Sequence, residues 1–235
     1  MIRVDAPKPT LMPLALAGAH RATPVGARVV LRLPALDRAT ELVAGAGFDV
    51  QRVEPGSAGG IHVRATRARP RRGGCGPGMR VLVCGLNPSL VAADAGYGYA
   101  GATNRFWPAA VAADLVSRPG DPVHALENHG VGMTDLVKRA TRGASALTGN
   151  EYRAGAERVE GLVEWLRPAV VLFVGLAGWR AAVDRLAVAG LQPRPFGGSA
   201  AYVMPSTSGL NAHVRLDDLT AHMVDACTAA SLRTS

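Results

Sequence analysis

The feature that most constrains this chain is a set of continuous apolar runs separated by stretches of helical periodicity. Val81-Leu82-Val83-Cys84, Val170-Val171-Leu172-Phe173-Val174 and Ala201-Tyr202-Val203-Met204 show no polar alternation, as expected of strands covered on both faces. Between them Tyr152, Val159, Leu162, Val163 and Leu166 recur at helical spacing, with Pro168 ending the helix. Another helix is expected from about Ala177 to Val188. A last one opens around Asp217 and Asp218, acids at its positive end, and runs toward Leu232. Strand–helix alternation from Met79 onward predicts an α/β fold, a three-layer α/β/α sandwich with a mainly parallel central sheet. Ligands in such folds bind beyond the carboxyl ends of strands, so the loops after Cys84 and Met204 are the places to look.

The first 78 residues read differently. Residues 1 to about 26 carry Pro, Gly and Ala without sustained periodicity and are expected to be loose or peripheral. Arg3 and Lys8 precede Leu11-Met12-Pro13-Leu14-Ala15-Leu16-Ala17, which imitates a signal peptide but is short and broken by Pro13. A small α+β appendage follows: strands at Val29–Leu33, Phe48–Val53 and Ile61–Thr66, with Asp37 capping a helix through Val43. Between Arg64 and Gly78 five arginines alternate with Pro and Gly, the composition of a solvated hinge. The expected organisation is therefore 1–78 as an N-terminal extension with a basic linker and 79–235 as the main domain. Gly74-Cys75-Gly76-Pro77-Gly78 precedes a strand and opens no helix, the wrong context for a dinucleotide loop.

At 235 residues and 48% hydrophobic the chain can bury a real core. A formal charge of +8 suggests a polyanionic partner, since Lys and Arg displace counterions from phosphates. Membrane surfaces, ribosomes or an arginine-rich proteome would select the same excess. Arg dominates, with Lys only at 8 and 138. Cys75, Cys84 and Cys227 are scattered with no CxxC or Cys/His cluster, so no cofactor, metal or iron–sulfur cluster is indicated, nor a secreted disulfide framework. No apolar run is long enough to span a membrane.

Two loops carry the chemistry. The first reads Gly85-Leu86-Asn87-Pro88-Ser89, followed by Tyr99 and then Asn104-Arg105-Phe106-Trp107. The second reads Pro205-Ser206-Thr207-Ser208-Gly209-Leu210-Asn211. The first resembles the Gly-Ile-Asn-Pro-Gly loop and following Asn-Arg-Phe-Trp of the mismatch-specific uracil/thymine-DNA glycosylases, and the second is similar to that family's Asn-Pro-Ser-Gly-Leu loop. The likeness extends over roughly residues 79 to 230. It implies a uracil-DNA glycosylase-like fold and a DNA repair enzyme of base excision, a monofunctional hydrolase of N-glycosidic bonds. Its partner would be double-stranded DNA carrying a mispaired or damaged base. A cytoplasmic, nucleoid-associated monomer is the expectation. Separately, Ala39-Thr40-Glu41-Leu42-Val43 leading into Ala46-Gly47-Phe48 looks like the tail of a class I methyltransferase; without a cofactor loop it implies ancestry and no methyl transfer.

Breaking a glycosidic bond builds positive charge on the sugar and negative charge on the departing base, so water must be placed and the anion stabilised. The resemblance assigns Asn87 to orienting that water; the alternative is that it caps the turn before Pro88. Tyr99 matches the position whose ring stacks on the flipped base, or is a core tyrosine. Gly85, Leu86 and Ser89 surround the base, with backbone N–H groups of the loop as possible donors. Ser206, Ser208, Gly209, Leu210 and Asn211 form the DNA-facing loop, with Leu210 as wedge or as a leucine covering the sheet end. Asn211 and His213 are candidates for phosphate or the opposing strand. Asn104 is expected to cap the next helix, with Phe106 and Trp107 in the core.

Asp135, in Gly132-Met133-Thr134-Asp135-Leu136-Val137, lies at a third strand end. Facing the pocket, it would polarise the water or steady the sugar cation; on the surface, it would pair with Lys138 or Arg139. Departures from the family pattern bear on substrate choice: Ser89 for Gly, Gly101-Ala102 for His-Pro, and Ser206-Thr207 for Asn-Pro. No Lys lies in either loop, which argues against Schiff-base lyase chemistry. A broader uracil or hypoxanthine glycosylase and a catalytically silent DNA-binding protein of the same fold stay open as alternatives.

Overall fold

The structure, a computed structural model, describes the chain apart from residues 7, 9–10, 25, 37, 57–58, 68–73, 77 and 233–235. Two sheets organise it. The C-terminal sheet contains β5 (Val81–Gly85), β6 (Val131–Asp135), β7 (Val170–Val174), β8 (Gly190–Leu191) and β9 (Ala200–Met204) in the order β6-β5-β7-β9-β8. All pairs are parallel except β8 with β9. The three apolar runs of the sequence are its central strands, buried along their length.

Alternate residues of each strand face opposite helical layers. Val81, Val83, Leu172 and Met204 pack with Phe106 and Trp107 of α4 (Phe106–Ala112), Ala125 of α5 (Pro122–His129) and Leu219 and Met223 of α8 (Leu216–Ser231). Leu82, Cys84, Phe173 and Val203 pack with Val159 and Val163 of α6 (Gly149–Leu166) and Trp179 of α7 (Leu176–Ala182). This is the expected α/β/α sandwich. A period-2 strand buried on both sides leaves no solvent face, which is why the runs lack polar alternation. α6 starts at a full capping box between Thr148 and Glu151. α7 stops six residues short of the expected Val188, because Val183 closes it and Asp184 caps the following turn through Leu186 N–H.

The N-terminal sheet has the order β1-β2-β4-β3, from β1 (Ile2–Arg3), β2 (Arg28–Leu33), β3 (Phe48–Pro55) and β4 (Ile61–Arg67). Its helices are α1 (Met12–Ala22) and α2 (Ala39–Gly45). Two expectations need correcting. The described part of the first 26 residues is not loose: Met12 and Leu16 are fully buried in the core of this unit, and Ile2 and Arg3 pair with β2. Pro13 does not break the helix, because in the first turn its missing N–H would have had no partner. The supposed hinge is also partly structured. Arg64 pairs with Glu54, Arg67 donates to the Thr23 carbonyl, and Gly74 exchanges backbone hydrogen bonds with Met133. The expected cap Asp37 lies outside the described residues; α2 itself starts after Arg38 with no side-chain cap.

Trp165 of α6 packs against both the N-terminal core and the α6/α7 layer, and Arg38 approaches Glu164 at 4.0 Å. The N-terminal unit therefore rests on the outer surface of α6. Among the described residues no helix is long and apolar enough to cross a membrane.

Candidate functional site

β5, β6, β7 and β9 all run the same way, so their carboxyl ends share one edge, and a cleft of about 660 Å³ opens there. Gly85, Leu86, Asn87, Ser89, Tyr99, Asp135, Ser206, Ser208, Gly209, Leu210 and Asn211 all line it. Of the candidates in the two loops and at the third strand end, all but His213 thus meet in one cavity. Thr103, Thr141 and Arg142 line it too and carried no signal in the sequence.

The loop after β5 is held by the segment after β6. The amides of Leu136, Val137 and Thr141 donate to the carbonyls of Gly85, Leu86 and Pro88 at 2.8, 2.9 and 3.1 Å. Asn87 is anchored by its amide nitrogen, which donates to Thr141 Oγ1 (2.8 Å) and the carbonyls of Arg139 (3.0 Å) and Pro88 (3.1 Å). With the nitrogen committed, Oδ1 is the atom left to accept a hydrogen bond. The capping alternative is therefore met in part: the side chain holds its turn through one end of the amide and keeps the other. Arg139 is itself fixed by a two-pronged pair with Glu151 at 2.7 and 3.0 Å. That guanidinium, then the Thr148 backbone, holds the Glu151 carboxyl far below the usual range, at about 2. An exposed pair of this kind fixes the carbonyl on which Asn87 hangs.

Asp135 is 2% exposed, which removes the surface-acid alternative. It faces Gly85 across the β5–β6 ladder. A Cβ on Gly85 would sit 2.6 Å from Asp135 Oδ1 and 2.9 Å from the Tyr99 hydroxyl. Only glycine lets the carboxylate and the phenol converge over the strand end. Tyr99 holds a left-handed φ of 60°, rare for a bulky residue and a mark of backbone fixed by its surroundings. Its ring stacks on Phe106 at 3.9 Å and 16°, so Phe106, expected in the core, is core and also the support of Tyr99.

Ser89 caps α3 (Leu90–Ala95), its Oγ accepting from Ala92 N–H at 3.1 Å. Ser89 therefore serves the helix as well as the cleft wall. Asn104 accepts from Phe106 N–H at 3.0 Å at the start of α4, and Trp107 is buried.

The loop after β9 is built on Arg105. Its guanidinium donates to the carbonyls of Val214, Ser208 (3.3 Å) and Asn211 (2.7 Å), and its backbone N–H donates to Thr207 at 3.0 Å. Sequence reading missed this, because the partners lie over 100 residues downstream. Asn211 turns its amide inward to the Ser206 carbonyl (3.0 Å). A Cβ on Gly209 would collide with Thr103 at 2.6 Å. Leu210, between these clamps, is 97% exposed. A leucine covering the sheet end would be buried. His213 is exposed on the same loop.

The model of the uracil DNA glycosylase superfamily matches residues 73–228, more than half of the chain. The chain belongs to the uracil DNA glycosylase superfamily. It is accordingly a DNA glycosylase, a hydrolase of base excision repair acting on damaged bases in DNA. The exposed tip of the β9 loop, Leu210, stands at the lip of the cleft at the strand ends.

Proposed function

We propose that this glycosylase is a monofunctional enzyme of the mismatch-specific type, releasing uracil, and more slowly thymine, from pairs with guanine. The target nucleotide swings into the cleft and its base lies against the face of Tyr99 that Phe106 does not cover. Leu210 enters the stack in its place. Asn87 Oδ1 accepts a hydrogen bond from a water and aims its oxygen at C1′. The C1′–N bond breaks with its electron pair going to the base, water oxygen bonds to C1′, and the water proton passes to solvent or the base anion. Asp135, beside the sugar face of the site, offsets the positive charge growing on the deoxyribose.

The observation that carries this reading is the anchoring of the Asn87 amide nitrogen by three acceptors, which leaves its oxygen for the water. A second reading is a broader enzyme that also takes hypoxanthine or unpaired uracil, since Ser89, Gly101 and Ser206 on the cleft wall depart from the mismatch-specific pattern.

End-labelled oligonucleotides carrying one lesion, treated with alkali after incubation, separate these. The proposal expects strand breaks fastest with G·U, slower with G·T, and slowest with A·U and single strands. Equal or faster breakage at hypoxanthine or unpaired uracil would establish the broader enzyme. Intact strands in every arm would mean a DNA-binding protein without catalysis.

A further inference from the structure

The seam between the N-terminal unit and α6 holds a second pocket, linked to Asp135 through Arg158, which donates to the Asp135 carbonyl. It encloses about 40 Å³ between Arg38, Glu41 and Leu42 of the N-terminal unit and Lys138, Arg158 and Trp165 of the sandwich. Three basic residues and one acidic residue are among those that line it. Arg158 is the unusual member. Nη2 donates to the backbone carbonyls of Asp135 and, at 3.3 Å, of Leu136, and α2 closes over it at Gly45. No described carboxylate comes within 4.0 Å of the guanidinium. Two carbonyls satisfy hydrogen-bond donors but do not neutralise a charge withdrawn from water. Burial pulls this guanidinium below its ordinary range, and the Cys84 thiol, Asp135, the Cys75 thiol and Glu41 counter it only in part. Space for roughly three waters is space for one tetrahedral oxyanion.

We infer that this pocket binds a phosphate group, with Arg158 at its base, Arg38 and Lys138 at its sides and the apolar walls of Leu42 and Trp165 excluding water. The inference does not rest on the glycosylase reading. It gives the N-terminal unit a role: it supplies Arg38 and the wall without which Arg158 would face solvent. Since the same guanidinium holds the Asp135 and Leu136 carbonyls, occupancy would also steady the strand end on which Asp135 stands.

Isothermal titration of the full-length chain with inorganic phosphate, at constant ionic strength against chloride, tests it. The expected result is saturable one-to-one binding, weakened about fivefold by Arg38→Gln, at a side chain 43% exposed, with circular dichroism checking the fold. Gly45→Leu, which fills the pocket, is expected to weaken it at least tenfold, with circular dichroism checking the fold. Should Gly45→Leu fail to fold, Arg38→Gln alone decides. Methyl phosphate in parallel tells a phosphomonoester from the free ion; tighter binding of either upholds the site. Absence of saturable binding, or binding untouched by both substitutions, would overturn it, the latter placing phosphate on the DNA-facing surface.

Discussion

The two loops at the carboxyl edge are held in opposite ways. The loop after β5 is zipped to a neighbouring backbone: three of its carbonyls accept from the 136–141 segment, and Asn87 closes the seam with two bonds, to the Arg139 carbonyl and Thr141 Oγ1. The loop after β9 has its tip in solvent and is tied to the rest of the fold mainly by one residue, Arg105, whose guanidinium and backbone N–H reach across from the start of α4. Water placement tolerates errors of only a few tenths of an ångström, so a redundant backbone ladder suits it. A wedge must enter a duplex and leave it, so a loop fixed at its base and bare at its tip suits that task. On the proposed reading the difference divides labour: the β5 loop would serve any substrate, and the β9 loop only substrates whose base is stacked in a helix.

Substitutions can break this division in a graded way. Asn87→Ala should cost the most, on the order of 10²–10³ in single-turnover rate, and equally on duplex and single-stranded uracil. A loss confined to duplex would contradict the assignment. Arg105→Met comes next. It removes charge-assisted bonds worth about 1.5–3 kcal/mol, so duplex excision should fall roughly thirtyfold, while an unpaired uracil, needing no wedge, should lose little. Arg105→Lys should recover only part, since an ammonium cannot span three carbonyls as a fork does.

The sandwich and the two loops were legible in the sequence because strands buried on both faces and turn residues after them leave local signals. What escaped was set by distant partners. Pro13 interrupts an apolar stretch in the sequence yet occupies the first turn of a helix, and the burial of Met12 and Leu16 depends on β2 and β4, far along the chain. Gly74 looked like linker until Met133 paired with it. Whether Asp135 faces the site or solvent hinges on its register with Gly85, which no local pattern encodes. Arg105 sat in a run legible only as cap and core, and Thr141, which fixes Asn87, stands in an irregular segment with no periodicity. Phe106, read as core, is core and also carries Tyr99.

The smallest of the three effects is also the most direct test of the division of labour. Single-turnover excision by wild type and Leu210→Ala is measured on a G·U duplex and on the same uracil strand unpaired. Losing a buried leucine's contact with the stack costs about 1.5 kcal/mol, so the duplex rate should fall roughly tenfold with the single-strand rate unchanged. Equal losses on both substrates, or no loss on either, would contradict the account.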